Sequence, residues 1–393
     1  MLNRPSSAAK STSTKDTVST DFAVIGLGAV GAATLYQLAK RGAKVIGVDR
    51  YLPPHPYGSS HGAARVTRNA VGEGSAYVPL VRRSQEILSD LERSFNANLM
   101  ERAGTLIIGS ERPACGEDFV EATVNIARQN GIEHELFSSA ELKRRYPTLI
   151  GLTETDYGYF EPKAGFLRPE PIVSLQISVA QQLGATVVTN CAVEHVSQEN
   201  GWVIIGMGDH QIKARHAVIA AGCWAGETLG PPFDHLLKVT AQRTFSFRQE
   251  DSAGYQSDNF PALMWFRSAA ADQCITAFPQ SHDGAVSFFV EGIDAAADAG
   301  ETGGRFFERD VRPFFGGISS QMAGSDLCYY TTTPDGGFII DQHPAYDQLL
   351  VISACSGHGF KHSLGVGELA AQLLLGEETS ADVAPFSTRR FRV

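Results

Sequence analysis

The sequence predicts an α/β chain interrupted by a mostly antiparallel β region. Three observations carry that expectation. A strand, a glycine turn, a helix and a second strand open the structured chain, from DFAVIGLG to KVIGVDR. Residues 239–330 then change to alternating Phe, Thr and Val runs such as RTFSFR, CITAF and AVSFFV, the mark of antiparallel strands. From residue 338 the strand-then-helix order returns. The expected division is a disordered leader over 1–20, one discontinuous domain from 21–105, 166–236 and 325–393, and a second domain from 106–165 and 237–324.

Each element follows from its residues. The leader MLNRPSSAAKSTSTKDTVST is rich in Ser and Thr and lacks the apolar stretch of a secretory signal. DFAVIGLG is a buried strand, GAATLYQLAKRG a helix with Leu35, Leu38 and Ala39 on one stripe, and KVIGVDR a second strand. Residues 77–96 form an amphipathic helix through Leu80, Ile87 and Leu91. TLIIGS is a strand; 117–130, 139–146 and 174–184 are helical; ATVVTN, GWVIIGMG and HAVIAAGCWA contain strands. GGRFFERDVRPFF follows an Ala/Asp/Gly-rich stretch at 292–304. FIID and LLVISAC are then strands, and SGHGFKHSLGVGELAAQLLL enters a helix.

Composition narrows the function. The 393 residues hold 33 Lys and Arg against 43 Asp and Glu, a net charge of −10, which argues against a nucleic-acid partner. Only nine of the basic residues are lysines. No run is long and apolar enough to span a membrane. The six cysteines, at 115, 191, 223, 274, 328 and 355, show no CxxC pair, which fits a cytoplasmic setting and no metal site.

Gly26-Leu27-Gly28-Ala29-Val30-Gly31 is a GxGxxG turn between strand and helix, with Asp49 ending the next strand. Gly26 makes the tight turn, Gly28 admits a pyrophosphate to the backbone, and Gly31 lets helix pack on strand. The helix N-terminus offers free N–H groups to phosphates, and Asp49 would accept from ribose hydroxyls. This is a Rossmann-like dinucleotide site. The later Val218-Ile219-Ala220-Ala221-Gly222-Cys223-Trp224 tilts it toward FAD.

Downstream, Arg65 and Arg68 follow a glycine-flexible turn; on a helix they would share a face. Two guanidiniums together call for a carboxylate or other anion between them, and otherwise form a solvated pair or one satisfied by Glu73. Read alone, Cys328 is a small buried hydrophobe. Lys361, at a helix start, opposes the helix dipole unless a negative group lies nearby.

GLGAVG with Asp49, PPHPYGSSHGAARVTRNAVGEGSAYVPLVRRSQE, YFEPKAGFL, AAGCWA, CYYTTTPDGGFIID and SGHGFKHSLGVGE occur together and in order. In this combination the chain resembles the monomeric sarcosine oxidase and N-methyltryptophan oxidase family of flavoprotein amine oxidases. The resemblance implies FAD bound covalently through Cys328, and a substrate carboxylate gripped by Arg68 and Lys361. It places His61 and Arg65 beside the flavin ring, the backbone of Gly357, Gly359, Phe360 and Lys361 near its N1–C2=O edge, and Val193 at the adenine. Arg50, Ser59, Gly222 and Trp224 join the cofactor site, and Tyr330 the catalytic set. The implied reaction takes a hydride from a secondary or N-methyl amine of an amino acid to flavin N5. The imine is hydrolysed and O₂ is reduced to H₂O₂. The expected partners are a small amine or amino acid and O₂, with the chain a monomer or small homo-oligomer.

The chain departs from that family at three positions. The family's lysine over the opposite flavin face, which promotes reaction with O₂, aligns with Ser287, and no lysine occurs between Lys238 and Lys361. The family's aromatic becomes about Thr276, and its histidine about Glu291. Three consequences stand open: an oxidase in which His282 or Arg267 substitutes, a dehydrogenase with another acceptor, or a tailoring oxidase with a pocket rebuilt for a more polar or cationic amine. An electron-relaying flavin subunit of a larger complex is a further alternative.

Overall fold

The computed structural model describes residues 16–110, 118–250, 254–267, 274–281, 284–291 and 302–391. Five parallel strands form the centre of one sheet, in the order Thr186–Val188, Val45–Val48, Asp16–Ile25, His210–Ile219 and Tyr346–Ser353. His195–Glu199 and Trp202–Met207 add an antiparallel ribbon against the first half of His210–Ile219, and Ile339–His343 pairs antiparallel with Tyr346–Ser353. Where both faces are covered, at residues 22–25, Val45–Val48 and residues 217–219, the strand sequences are apolar. The first half of Asp16–Ile25 is instead polar and largely exposed, and that of His210–Ile219 alternates polar with buried apolar residues. Val24, Val45, Val218, Leu350 and Ile352 face the helices, whereas Ala23, Ile25, Ile46, Val48, Ala217 and Ile219 face the ribbon side.

On the helical face, Ala29–Lys40 packs against both Pro169–Gln182 and Ser363–Leu375, and Val78–Phe95 packs against Ser363–Leu375. Small residues allow close approach. A Cβ on Gly367 would lie 2.3 Å from the Cβ of Ala33.

The second sheet runs Ile318–Thr332, Lys238–Gln249, Ala285–Val290, Cys274–Phe278, Ala262–Phe266, Thr105–Ser110, Asp156–Glu161, Glu135–Ser138, and only Ala262–Phe266 with Thr105–Ser110 is parallel. The two-residue period sorts its side chains. Phe245, Phe247, Trp265 and Phe288 enter an aromatic core with Phe306, Phe307 and Phe315. Residues between them in sequence, among them Met264, Ser287 and Phe289, line a cavity on the other face. Arg65–Thr67, Gly165–Leu167 and Met100–Glu101 form a small third sheet.

Several expectations change. Residues 16–20, expected in the leader, extend the first strand, because His210–Ala214 offers it parallel partners; residues 1–15 lie outside the described residues. Ile318–Thr332 is one strand that pairs with Lys238–Gln249 along most of its length, so the expected boundary at 325 falls inside it. Helix Pro169–Gln182 starts five residues before 174, with proline at a position that needs no N–H donor. Arg65 and Arg68 do not share a helix face, because Arg65–Thr67 is recruited as a strand by Gly165–Leu167.

Gly367→Val should therefore overpack the helix pair and cost about 1–3 kcal/mol, read as a lower Tm. Gly304→Ala, where an added Cβ meets nothing within 4 Å, should leave Tm nearly unchanged.

Candidate active site

A cavity of about 450 Å³ runs from the carboxyl ends of the parallel strands to the inner face of the second sheet. That crevice is where open α/β sheets place ligands, because successive strand ends and helix starts leave their backbone groups there. Of the residues expected to hold the cofactor or act in catalysis, all but Gly31 line it: Gly26, Gly28, Asp49, Arg50, Ser59, His61, Arg65, Arg68, Val193, Gly222, Trp224, Ser287, Cys328, Tyr330, Gly357, Gly359, Phe360 and Lys361. Gly31 stands behind the wall. A Cβ there would sit 1.7 Å from the Gly26 carbonyl oxygen, so its role is to let helix close on loop.

At one end, Gly26 has φ +88° and is pressed against the Ala220–Ala221 backbone, leaving no room for a side chain. Leu27 N donates to Asp49 Oδ2 at 2.7 Å, and Tyr51 N donates to Asp49 Oδ1 at 2.8 Å. Helix Ala29–Lys40 begins with no side-chain cap from its own N-cap residue, although Ala29 N donates to Ser60 Oγ at 2.9 Å. A bare loop, a helix N-terminus and an anchored acid suit a dinucleotide. The Arg50 guanidinium lies over the Trp224 ring at 5.5 Å.

In the middle, Arg65 donates to the carbonyls of Ser59 (3.0 Å) and Ala64 (2.8 Å), and Ser59 Oγ donates to the Tyr329 carbonyl. His61 Nε2 is buried with no hydrogen-bond partner among the described residues. Burial and the nearby Arg65 lower its pKa, so the ring is neutral at neutral pH. Burial pushes the Cys328 thiol up, with Arg65 opposing.

The far end is charged. Arg68 is 2 % exposed and its Nη2 donates to both oxygens of Glu73, at 2.9 and 3.0 Å. Lys361, 3 % exposed, donates from Nζ to Glu73 Oε1 at 3.1 Å and to the His358 carbonyl at 2.9 Å. Glu73 is thus the negative group that the position of Lys361 requires. The sequence pointed to Glu73 only as a local partner for Arg68, and its bridge to Lys361, 288 residues away, has no local signal. Burial opposes ionisation of Glu73, but Arg68, Lys361 and His358 overcome it and hold its carboxyl well below the usual range. Burial, with Arg68 adding repulsion, brings Lys361 down to about 8 despite Glu73. Met264, Phe119, Phe266, Gln242 and Thr276 close the walls.

Ser287 faces the cavity from the second sheet, 2.8 Å from Ser246 Oγ. Arg267 does not replace the missing lysine: its guanidinium is 2.9 Å from Asp310 and lies over Phe314, away from the cavity wall. His282 lies outside the described residues.

Residues 21–373 match the family described as DAO, FAD dependent oxidoreductase. The chain is 31% identical to a monomeric sarcosine oxidase of Bacillus sp. (strain NS-129), over 94% of this chain and 96% of that protein. It is equally 31% identical to an N-methyl-L-tryptophan oxidase of Citrobacter koseri, over 94% and 99%. Its fold is similar to NikD, an unusual amino acid oxidase essential for nikkomycin biosynthesis, with a TM-score of 0.78, 18% identity and coverage of 94% and 97%. It is also similar to L-proline dehydrogenase from P. horikoshii, with a TM-score of 0.78, 19% identity and coverage of 95% and 98%.

Removing the charge of Glu73 should leave Arg68 and Lys361 buried and repelling each other. Glu73→Gln is expected to cost about 3–5 kcal/mol and to lower Tm, with millimolar acetate recovering part of the loss. Because the folded-state pKa of Glu73 is depressed, its contribution is present above the ordinary value of 4.5 and lost as pH falls through the lower folded value. The variant's Tm should accordingly fall less than the wild type's in acid.

Proposed function

Because the chain belongs to the DAO family of FAD-dependent oxidoreductases, we propose that it oxidises the C–N bond of a secondary or N-methyl amino acid. The relatives named above, a sarcosine oxidase and an N-methyl-L-tryptophan oxidase, support that substrate class. The observation that carries the reading is the buried Arg68–Lys361 pair, whose two cations converge on a single carboxylate. A substrate carboxylate is of the same chemistry and would share or take the place of Glu73. Held there, the rest of the amino acid extends toward Tyr330, Thr276 and Ser287.

The residues at the strand ends fit FAD. Gly26 and Gly28 would admit its pyrophosphate, the start of helix Ala29–Lys40 would face the phosphates, and Asp49 would accept from the ribose. Val193 would meet the adenine, with Arg50, Gly222 and Trp224 completing that end. His61, Arg65 and the Gly357–Lys361 backbone, including Gly359 and Phe360, would flank the flavin ring. Bound FAD supplies the two-electron chemistry, taking a hydride from the carbon next to nitrogen and passing electrons on. The chain fixes the substrate's carboxylate, sets its C–H toward the ring, and keeps Tyr330 protonated through burial, with Glu291 adding to the shift. Cys328, which lines the cavity, would form a thioether to the flavin.

Electron disposal has two readings. O₂ as acceptor, with H₂O₂ as product, follows the relatives named as oxidases. Ser287 favours a slower oxidase or a dehydrogenase, because its hydroxyl supplies no positive charge where superoxide would form.

Anaerobic mixing of the holoenzyme with sarcosine or N-methyl-L-tryptophan should bleach the flavin's visible absorbance; no bleaching by any N-methyl amino acid sinks the proposal. Admitting air then separates the acceptors. Rapid recovery of colour supports the oxidase, and recovery slower than turnover with an artificial acceptor supports the dehydrogenase. Acid precipitation should leave the yellow colour in the pellet for wild type and release it for Cys328→Ser. Release from both removes the covalent link.

A further inference from the structure

The charged end of the cavity holds a second carboxylate for which the described residues offer no hydrogen-bond donor. Glu291 follows strand Ala285–Val290, anchored by its N–H to the Cys274 carbonyl at 2.9 Å, and its side chain lines the cavity. A Cβ on Gly357 would lie 2.9 Å from Glu291 Oε1 and 2.9 Å from a ring carbon of Tyr330, so carboxylate and phenol share one small wall. Among the described residues no donor hydrogen-bonds this carboxylate. Other largely buried acids are treated differently: Glu161 receives Asn69 N, Ala70 N and Tyr159 Oη, Glu368 receives Arg83, and Asp310 receives Arg267 and Arg309.

The groups facing Glu291 are Arg68 and Glu73 from the segment after strand Arg65–Thr67, Lys361 from the turn before the last long helix, Tyr330, and Cys274 on the neighbouring strand. The two cations among them are already joined to Glu73. The missing partner of Glu291 is therefore a cation that arrives with the ligand. An amino acid whose carboxylate sits on Arg68 and Lys361 carries its nitrogen one carbon further on, as an ammonium at neutral pH.

We propose that Glu291 binds the protonated nitrogen of the substrate and removes its proton, so that the cavity admits the zwitterion and makes the free amine in place. The inference rests on the amino-acid reading above. In this step one N–H bond of the ammonium breaks and an O–H bond forms on Glu291. The electron pair stays on nitrogen and no redox partner is needed. The freed lone pair is what the subsequent two-electron oxidation, for which bound FAD would be the acceptor, requires, because it stabilises positive charge on the adjacent carbon. Burial, with repulsion from Glu73, pushes Glu291 up to about 6 against the pull of Lys361 and Arg68. It is ionised at pH 7, yet a stronger base than an ordinary carboxylate.

The test compares holoenzyme and Glu291→Gln in kcat/KM for sarcosine and N-methyl-L-tryptophan across pH, and in binding of (methylthio)acetate, which has the carboxylate but sulfur for nitrogen. Wild type should lose kcat/KM below about pH 6, where Glu291 is protonated. The variant should lose that acid limb, fall about a hundredfold at pH 7, and recover as pH rises toward the amine's own pKa. Its affinity for (methylthio)acetate, read from the flavin spectrum, should stay within about twofold, given that the thioether offers no charge to Glu291. A variant that keeps the acid limb, or loses (methylthio)acetate in proportion to turnover, overturns the proposal while leaving the amine-oxidising reading intact. A wild type that oxidises no N-methyl amino acid overturns both.

Discussion

Arg68, Glu73 and Lys361 reach one another from opposite ends of the chain, and each would be costly to bury by itself. Removing a charge from water costs several kcal/mol, recovered only by close opposite charge and hydrogen bonds. Arg68 supplies a two-oxygen contact and Lys361 a third, so Glu73 satisfies both cations with one side chain. This arrangement fixes the segment after strand Arg65–Thr67 against the turn that starts helix Ser363–Leu375. Those two stretches form the charged end of the cavity. Lys361 could not otherwise remain charged at the positive end of a helix. The cavity's charged end is thus held by an ion triad as well as by the apolar packing of Tyr77, Phe338 and Leu364 beside it.

Around the triad most titratable groups are held neutral. Burial lowers His358 to about 4 and holds His362 well below the ordinary imidazole value, while it raises Tyr330 and Cys355. A low-dielectric wall sharpens the few charges that remain, since each is screened less than in water. Selectivity in such a place comes from counting charges. A ligand that adds one negative and one positive group, at the spacing of an amino acid, disturbs the balance least.

The parallel sheet and the glycine turn were legible in the sequence because their signals are local. GxGxxG, the apolar strand runs and Asp49 all lie within 30 residues. The alternation in RTFSFR and AVSFFV likewise announced antiparallel strands in the second sheet, but which of their residues face the aromatic core is seen only in the folded chain. What could not be read locally were long-range pairings. The extension of the first strand to Asp16 depends on His210–Ala214, and the conversion of the Arg65 segment to a strand depends on Gly165–Leu167. Nearly all of the expected site residues line one cavity. Glu73 as the bridge between two distant cations was missed, because only the folded chain brings position 361 to position 73.

Strand Ile318–Thr332 carries Cys328 and Tyr330, two residues apart and both on the cavity side. Successive residues on one face of a strand are separated by about 7 Å. That interval is set by covalent geometry, so rocking of one sheet against the other cannot stretch it. Anything resting on Cys328 and anything resting on Tyr330 is spaced by the backbone itself. The reacting groups would share a single rigid ruler, and thermal motion between the sheets would widen the entrance without changing the reach.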